Sequence, residues 1–262
     1  PVRVRGWLGT ASPTVRAVLN ELDAGFINAF DVWILYPNGI SSAMLVPLMD
    51  SRLLIDGLIL YLSLLVLLTL HEFGHAWTAW KCGDDTARLE GRVSLNPLAH
   101  IDPIGTVIMP ILGILLPGGF FIGWAKPVPV NVNNLRNPGR DDILVTLAGP
   151  GMNFLLGIIL IGLARVGLLV HSDPVMEIGF KMAHLSLLLC FFNLIPIPPL
   201  DGSQVVRALA GMSYETFNQI ARYGFIILIL ALQIPAIPKT VSFVTMKSFG
   251  IISSAFGMQL GL

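Results

Sequence analysis

Long apolar runs separated by short polar stretches dominate this chain. The clear ones span about 52–80, 104–124, 143–170, 178–197, 220–237 and 240–262. A helix needs about 20 apolar residues to cross a bilayer. The pattern therefore predicts an all-α polytopic membrane protein with about five to six transmembrane helices. The run 104–124 fits a straight helix poorly, because it holds Gly105, Pro110, Gly113, Pro117, Gly118 and Gly119. It is expected to be re-entrant and shielded by protein. Residues 1–50 form an N-terminal segment of open role. Their apolar part, Gly25 to Leu48, is broken by Asp31 and by the turn signal Pro37-Asn38-Gly39.

Composition supports the membrane assignment. The 262 residues are 54% hydrophobic and only 12% charged, where soluble domains carry about 25% charge. Net charge is +0, so nothing argues for a nucleic-acid partner. Cys82 and Cys190 have no metal-type spacing and are expected to be free thiols. Lys81, Arg88 and Arg92 follow the first run, and Lys126, Arg136 and Arg140 precede the third. Lys and Arg mark cytoplasmic loops. Both loops thus fall on one side, which again denies 104–124 a simple crossing. The connection His171 to Glu177 carries no Lys or Arg and is expected outside.

The first run ends in His71-Glu72-Phe73-Gly74-His75. On a helix the two histidines share a face one turn apart. They can hold one Zn²⁺ per chain while Glu72 serves as general base. Ionisable groups inside a span are costly, so such a cluster points to function. His71 precedes Lys81 by ten residues, about 15 Å of helix, which sets the site within the membrane but nearer the cytosol. A catalytic zinc needs a third protein ligand. No further histidine continues the motif, and most acids fall in polar loops. Asp201 follows an apolar span closed by Pro196, Pro198 and Pro199, and can lie at the histidines' depth. Asn193, in the same span, could donate to a developing oxyanion or bond backbone freed by the prolines. His100 is read as structural.

Five stretches together resemble the site-2 protease family of intramembrane zinc metalloproteases, in its compact prokaryotic branch. They are His71 to His75, Gly91 to Gly105, Gly123 to Asn131, Ala148 to Asn153, and Asn193-Leu194-Ile195-Pro196-Ile197-Pro198-Pro199-Leu200-Asp201-Gly202. The resemblance implies His71, His75 and Asp201 as zinc ligands, Glu72 as catalytic acid/base, and Asn193 as a transition-state or substrate contact. It also implies a three-helix catalytic core: the helix with HEFGH, the helix with Asn153, and the helix ending at Asp201. Many relatives carry PDZ or CBS modules, and no hydrophilic stretch here is long enough for either.

The expected organisation is therefore a catalytic membrane core over 51–210 and C-terminal transmembrane helices over 211–262. Expected partners are the lipid bilayer and transmembrane protein substrates, trimmed beforehand by a site-1-type protease. Expected localisation is the prokaryotic cytoplasmic membrane. Oligomeric state is left open. The stretch Lys126 to Val132 alternates Val with Pro and predicts a small membrane-associated β edge, where proline is tolerated. Such an edge could hold an extended substrate by strand addition. Two rivals come from other classes. A transporter would show paired repeats of broken helices, whereas the HExxH and the proline-broken LDG each occur once. A non-proteolytic scaffold with a zinc site would typically have lost Glu72 or a ligand.

Overall fold

A computed structural model describes residues 51–115 and 123–258. The expectation for residues 1–50 lies outside the described residues. In chain order the helices are α1 (Ser51–Lys81), α2 (Thr86–Leu89), α3 (Met109–Leu115), α4 (Pro138–Leu169), α5 (Asp173–Asn193), α6 (Asp201–Leu209), α7 (Tyr214–Ala221), α8 (Gly224–Leu232) and α9 (Ala236–Ala255). No strand forms among the described residues, so the β element expected at 126–132 is irregular backbone there.

α1, α4 and α5 are each long and apolar enough to cross a membrane. α8 and α9 pass the same test as a pair, bent by 80°. Three or four spans are thus found among the described residues, where five to six were expected of the whole chain. The runs expected at 220–237 and 240–262 are two arms of one bent pair, with Pro235 at the bend before α9. The run 104–124 begins as a π-turn at Pro103–Ile108 followed by the short α3. Its two ends are tied together: Trp124 N–H donates to the Gly105 carbonyl (3.2 Å), and Thr106 Oγ1 donates to the Trp124 carbonyl (2.8 Å). Lys126 N–H reaches the His100 carbonyl at 2.9 Å. The chain returns to where it left, as a re-entrant segment must.

α5 starts at Asp173, five residues before the apolar run expected from 178. Pro174 occupies its first turn, where a missing N–H costs nothing. Glu177 and Lys181 pair one turn apart at 2.7 Å, so polar residues extend the helix instead of interrupting it.

Small residues set the helix spacing. Gly157 faces Leu187, Gly167 faces the backbone of Met176, and Gly179 faces Ala164, all across the α4–α5 contact. Bilayer lipid offers no hydrophobic drive for helix pairing, so close approach of small residues supplies the packing energy instead. Around that contact Ile161, Ala164, Phe180, Ala183 and Leu187 are fully enclosed, with Phe249 of α9 closing the cluster. Gly74 of α1 lies against the Ala148 carbonyl of α4 and brings the motif helix onto the same frame.

One end of the bundle gathers the basic loops. Arg136 N–H bonds the Cys82 carbonyl at 3.0 Å, so the loops after α1 and before α4 meet. Lys81 lies 4.3 Å from the Trp80 ring centroid and 5.6 Å from that of Trp77, and Arg88 stacks on Trp80 at 5.1 Å. Aromatic and basic residues mixed in this way suit a membrane interface. Asp84 fastens the loops together and is fully buried. Its carboxylate accepts from Thr86 N–H (3.1 Å), Thr86 Oγ1 (2.5 Å), Asn134 Nδ2 (3.1 Å) and Asn131 N–H (2.7 Å). Burial alone would raise its pKa, but these donors outweigh burial and hold the carboxyl below the usual carboxylate range. Cys82, next to it, is pushed up by burial and by nearby Asp141, against the pull of Arg136 and Arg140. Both cysteines are free thiols.

Candidate metal centre

Helix α1 delivers His71 and His75 one turn apart. After α5 the chain unwinds through Leu194–Leu200, a stretch holding three of the prolines, and α6 opens on Asp201. Gly202 makes this turn-back feasible, since a Cβ there would overlap the carbonyl of Leu194. A carboxylate in the first turn of a helix also faces the positive end of its dipole.

The three side chains converge. His71 Nε2 and His75 Nε2 are 3.1 Å apart. Asp201 Oδ2 lies 3.2 Å from His71 Nε2, and Oδ1 lies 3.5 Å from His75 Nε2. His71 is 4% exposed and His75 9%, so solvent does little to screen the cluster. A tetrahedral zinc with bonds of about 2.0–2.1 Å has ligand–ligand edges of about 3.3–3.4 Å. The observed separations match that spacing. Two imidazole nitrogens facing each other and a carboxylate form the donor set of a catalytic zinc site. Asp201 Oδ2 is buried with no hydrogen-bond donor to it among the described residues, which a cation would remedy. The residues therefore fit a zinc ion.

One face of α4 walls the cluster. His75 Nδ1–H donates to the Val145 carbonyl at 2.7 Å. Gly149 lies against both rings, and a Cβ there would overlap His71 Nε2 and His75 Nε2. Asn153, fully buried, sits 3.1 Å from His71 Nδ1. These residues are spaced i, i+4, i+8, so they share one stripe of the helix. Ser186 Oγ of α5 donates to the Asn153 carbonyl at 2.7 Å and steadies the stripe from behind.

Glu72 is half-buried, and its Oε2 accepts from Val128 N–H at 3.1 Å. The irregular segment Lys126 to Asn131 thus runs beside the glutamate. It is pinned at Lys126, whose carbonyl accepts from buried Arg92, and at Asn131 by Asp84.

Of the residues singled out from sequence, His71, His75 and Asp201 come together, and Glu72 is adjacent on α1. Asn193 takes a different contact: its Nδ2 donates to the Leu189 carbonyl of its own helix at 2.9 Å. His100 bonds the Ser94 carbonyl through Nε2 (2.9 Å) and is only 2% exposed, as a structural histidine would be. The sequence reading missed Val128 N–H and the Val145 carbonyl, for which no residue letter gives a signal. Among the acids assigned to the basic loops, Asp84, Asp141 and Asp142 are buried.

Two histidines of the spanning helix α1 and the half-buried Asp201 at the start of α6 thus form a group that could hold a metal ion, with a glutamate beside it. The sequence matches Peptidase family M50 over residues 59–170 and 164–232, more than half of the chain. The chain belongs to that family. It is 34% identical over 184 residues to "Putative zinc metalloprotease YwhC" of Bacillus subtilis, covering 67% of this chain and 80% of the relative. It is also 34% identical over 182 residues to "Putative zinc metalloprotease Rip2" of Mycolicibacterium smegmatis, covering 67% of this chain and 66% of that relative. No solved structure matches the chain.

Proposed function

We propose that this integral membrane protein is a zinc metalloendopeptidase that cleaves transmembrane segments of other membrane proteins. His71, His75 and Asp201 hold the metal. When bound, zinc lowers the pKa of a bound water to about 7 and polarises the scissile carbonyl. Glu72 accepts a proton from the attacking water at its carboxylate and returns it to the departing amide nitrogen. Val128 N–H engages one carboxylate oxygen of Glu72 and leaves the other free for that exchange. Asn193 is the candidate contact to the substrate or its oxyanion: one Nδ2–H is bonded to the Leu189 carbonyl, and the second is left to donate.

The observation that carries this reading is the convergence of three ligand atoms within 4.8 Å of one another, two of them on an apolar spanning helix and next to a glutamate. The basic, aromatic-flanked end of α1 supports an active site nearer the cytosolic face. Residues 51–210 serve as the catalytic core. The substrates are membrane proteins already trimmed by an upstream site-1-type protease, and the site of action is the prokaryotic cytoplasmic membrane. The pinned segment Lys126 to Asn131 lies where an extended substrate chain would pass the glutamate. Strand addition there would involve Val128 and Val130.

The test is zinc content of the detergent-purified chain beside cleavage of a transmembrane reporter. About one zinc per chain with cleavage is expected for the parent, zinc without cleavage for Glu72→Gln, and neither for Asp201→Ala. A folded parent that takes up no zinc would refute the protease reading in favour of a transporter or scaffold.

A further inference from the structure

Two imidazoles that ligate through Nε2 must each carry their proton on Nδ1. Each Nδ1–H then needs an acceptor, because a buried unpaired donor is expensive. His75 has one in the Val145 carbonyl, a backbone group that can only accept. The neighbour of His71 is less simple. The Asn153 atom 3.1 Å from His71 Nδ1 is Nδ2, itself a donor, and the Asn153 Oδ1 is buried without a partner among the described residues. The two ends of an asparagine amide differ little in shape, and which end faces a neighbour is assigned from the hydrogen bonds it can make. Turning the amide over brings the orphaned Oδ1 to His71 Nδ1–H, so that each gains its partner.

We infer that Asn153 is a positioning residue for the metal centre, presenting its side-chain carbonyl to His71 Nδ1–H and thereby fixing the ring as an Nε2 ligand. The inference rests on His71, His75 and Asp201 being the ligands. The opposite amide orientation has a defined consequence. With the NH₂ donating to a bare Nδ1, the His71 proton sits on Nε2, and the lone pair that faces His75 and Asp201 is lost. Amide orientation and metal ligation are therefore linked through one imidazole. The fold holds Asn153 rigidly enough to impose the choice. It is fully buried, tied through its backbone carbonyl to Ser186, and stacked on the same α4 face as Val145 and Gly149. That single face thus sets the orientation of both rings, one through backbone and one through a side chain. Outer partners of this kind typically contribute 10–100-fold in metal affinity.

The test measures the zinc dissociation constant of the full purified chain by competition with a chelator, for the parent, Asn153→Asp and Asn153→Leu. Asp keeps an acceptor and has no NH₂, whereas Leu keeps the approximate volume and has neither. Zinc binding about 10–100-fold weaker in Asn153→Leu, with parent-like or tighter binding in Asn153→Asp, is the expected result. Asn153→Ala replaces the leucine variant if that does not fold. Were the NH₂ the important group, or the residue merely a packing element, Asn153→Asp would fall with the others, and the inference would be overturned. Equal affinity in all variants would overturn it as well while leaving the zinc site itself intact. A folded parent that binds no zinc removes the ligand assignment and this inference together.

Discussion

The bundle buries polar groups in two ways. Beside the basic loops, Asp142 of α4 pairs with Arg207 of α6, and Tyr214 completes the group. Arg207 Nε donates to Gln204 (2.9 Å) and its Nη2 to the Tyr214 hydroxyl (3.0 Å), which in turn donates to Asp142 Oδ1 (3.0 Å). The guanidinium also stacks on the Tyr214 ring at 3.8 Å. Every charge in this clamp has its opposite, and the acid accepts from two donors. The His71, His75 and Asp201 cluster, with its histidines buried and Asp201 half-buried, is composed differently. With both rings protonated on Nδ1, as ligation through Nε2 requires, atoms with lone pairs face one another there across 3.1–3.5 Å. The clamp closes on itself, while the cluster is completed only by something positively charged. Burial and unusual polarity alone would flag both sites. The balance of donors against acceptors separates a structural fastening from a proposed metal centre.

Substitutions can break this contrast. Asp201→Ala should have the largest effect, with zinc affinity falling by more than the roughly 10–100-fold that an outer partner contributes, and with reporter cleavage abolished. Chelator treatment of the parent should reproduce the loss of cleavage, and added zinc should restore it. Glu72→Gln should retain zinc yet lower the cleavage rate by about 10²–10⁴-fold. Arg207→Ala leaves Asp142 buried and unpaired, which should cost about 3–5 kcal/mol in thermal unfolding in detergent. The double change Asp142→Leu with Arg207→Met should recover most of that, because a closed ion pair can be replaced by apolar packing. No such neutral replacement should recover zinc binding in the cluster. Failure of the double variant to recover would undo the contrast.

Two smaller effects sharpen it. Gly149→Ala should cost about 1–3 kcal/mol through overpacking against the imidazoles, with reduced zinc content in a chain that still folds. Asp84→Asn should cost about 2 kcal/mol, since an NH₂ then faces donors in place of a carboxylate oxygen. The pH dependence has a definite sign. The folded Asp84 carboxyl lies below its ordinary value, so its contribution is present above about pH 4 and is lost as pH falls through the folded value. Thermal stability scanned downward in pH should decline in the parent through this window, with that component missing in Asp84→Asn.

Sequence alone took the site a long way. The HEFGH spacing needs only helix periodicity to bring two rings together, and Asp201 stood out because so few acids lie beside an apolar span. The basic loops on both sides of 104–124 argue against a crossing, and the Gly105–Trp124 hydrogen bond agrees with that argument. Other features were not legible. Val128 N–H and the Val145 carbonyl are backbone groups, so their roles depend on fold and not on residue type. Asp142 reads as a loop acid because Arg140 and Asp141 precede it, and its partner Arg207 is remote in sequence. The bend was not legible either: hydropathy sees two separate C-terminal runs where the chain turns by 80° near Pro235.

The distribution of the proposed ligands along the chain also has a consequence for biogenesis. His71 and His75 belong to the first described span, and Asp201 arrives only after α4 and α5 have been made. Chains are synthesised from the N-terminus at about 5–20 residues per second, so a half-made protein carries the two histidines for several seconds before the third ligand exists. The proposed metal centre therefore gains its full set of three ligands only after α4 and α5 have been made.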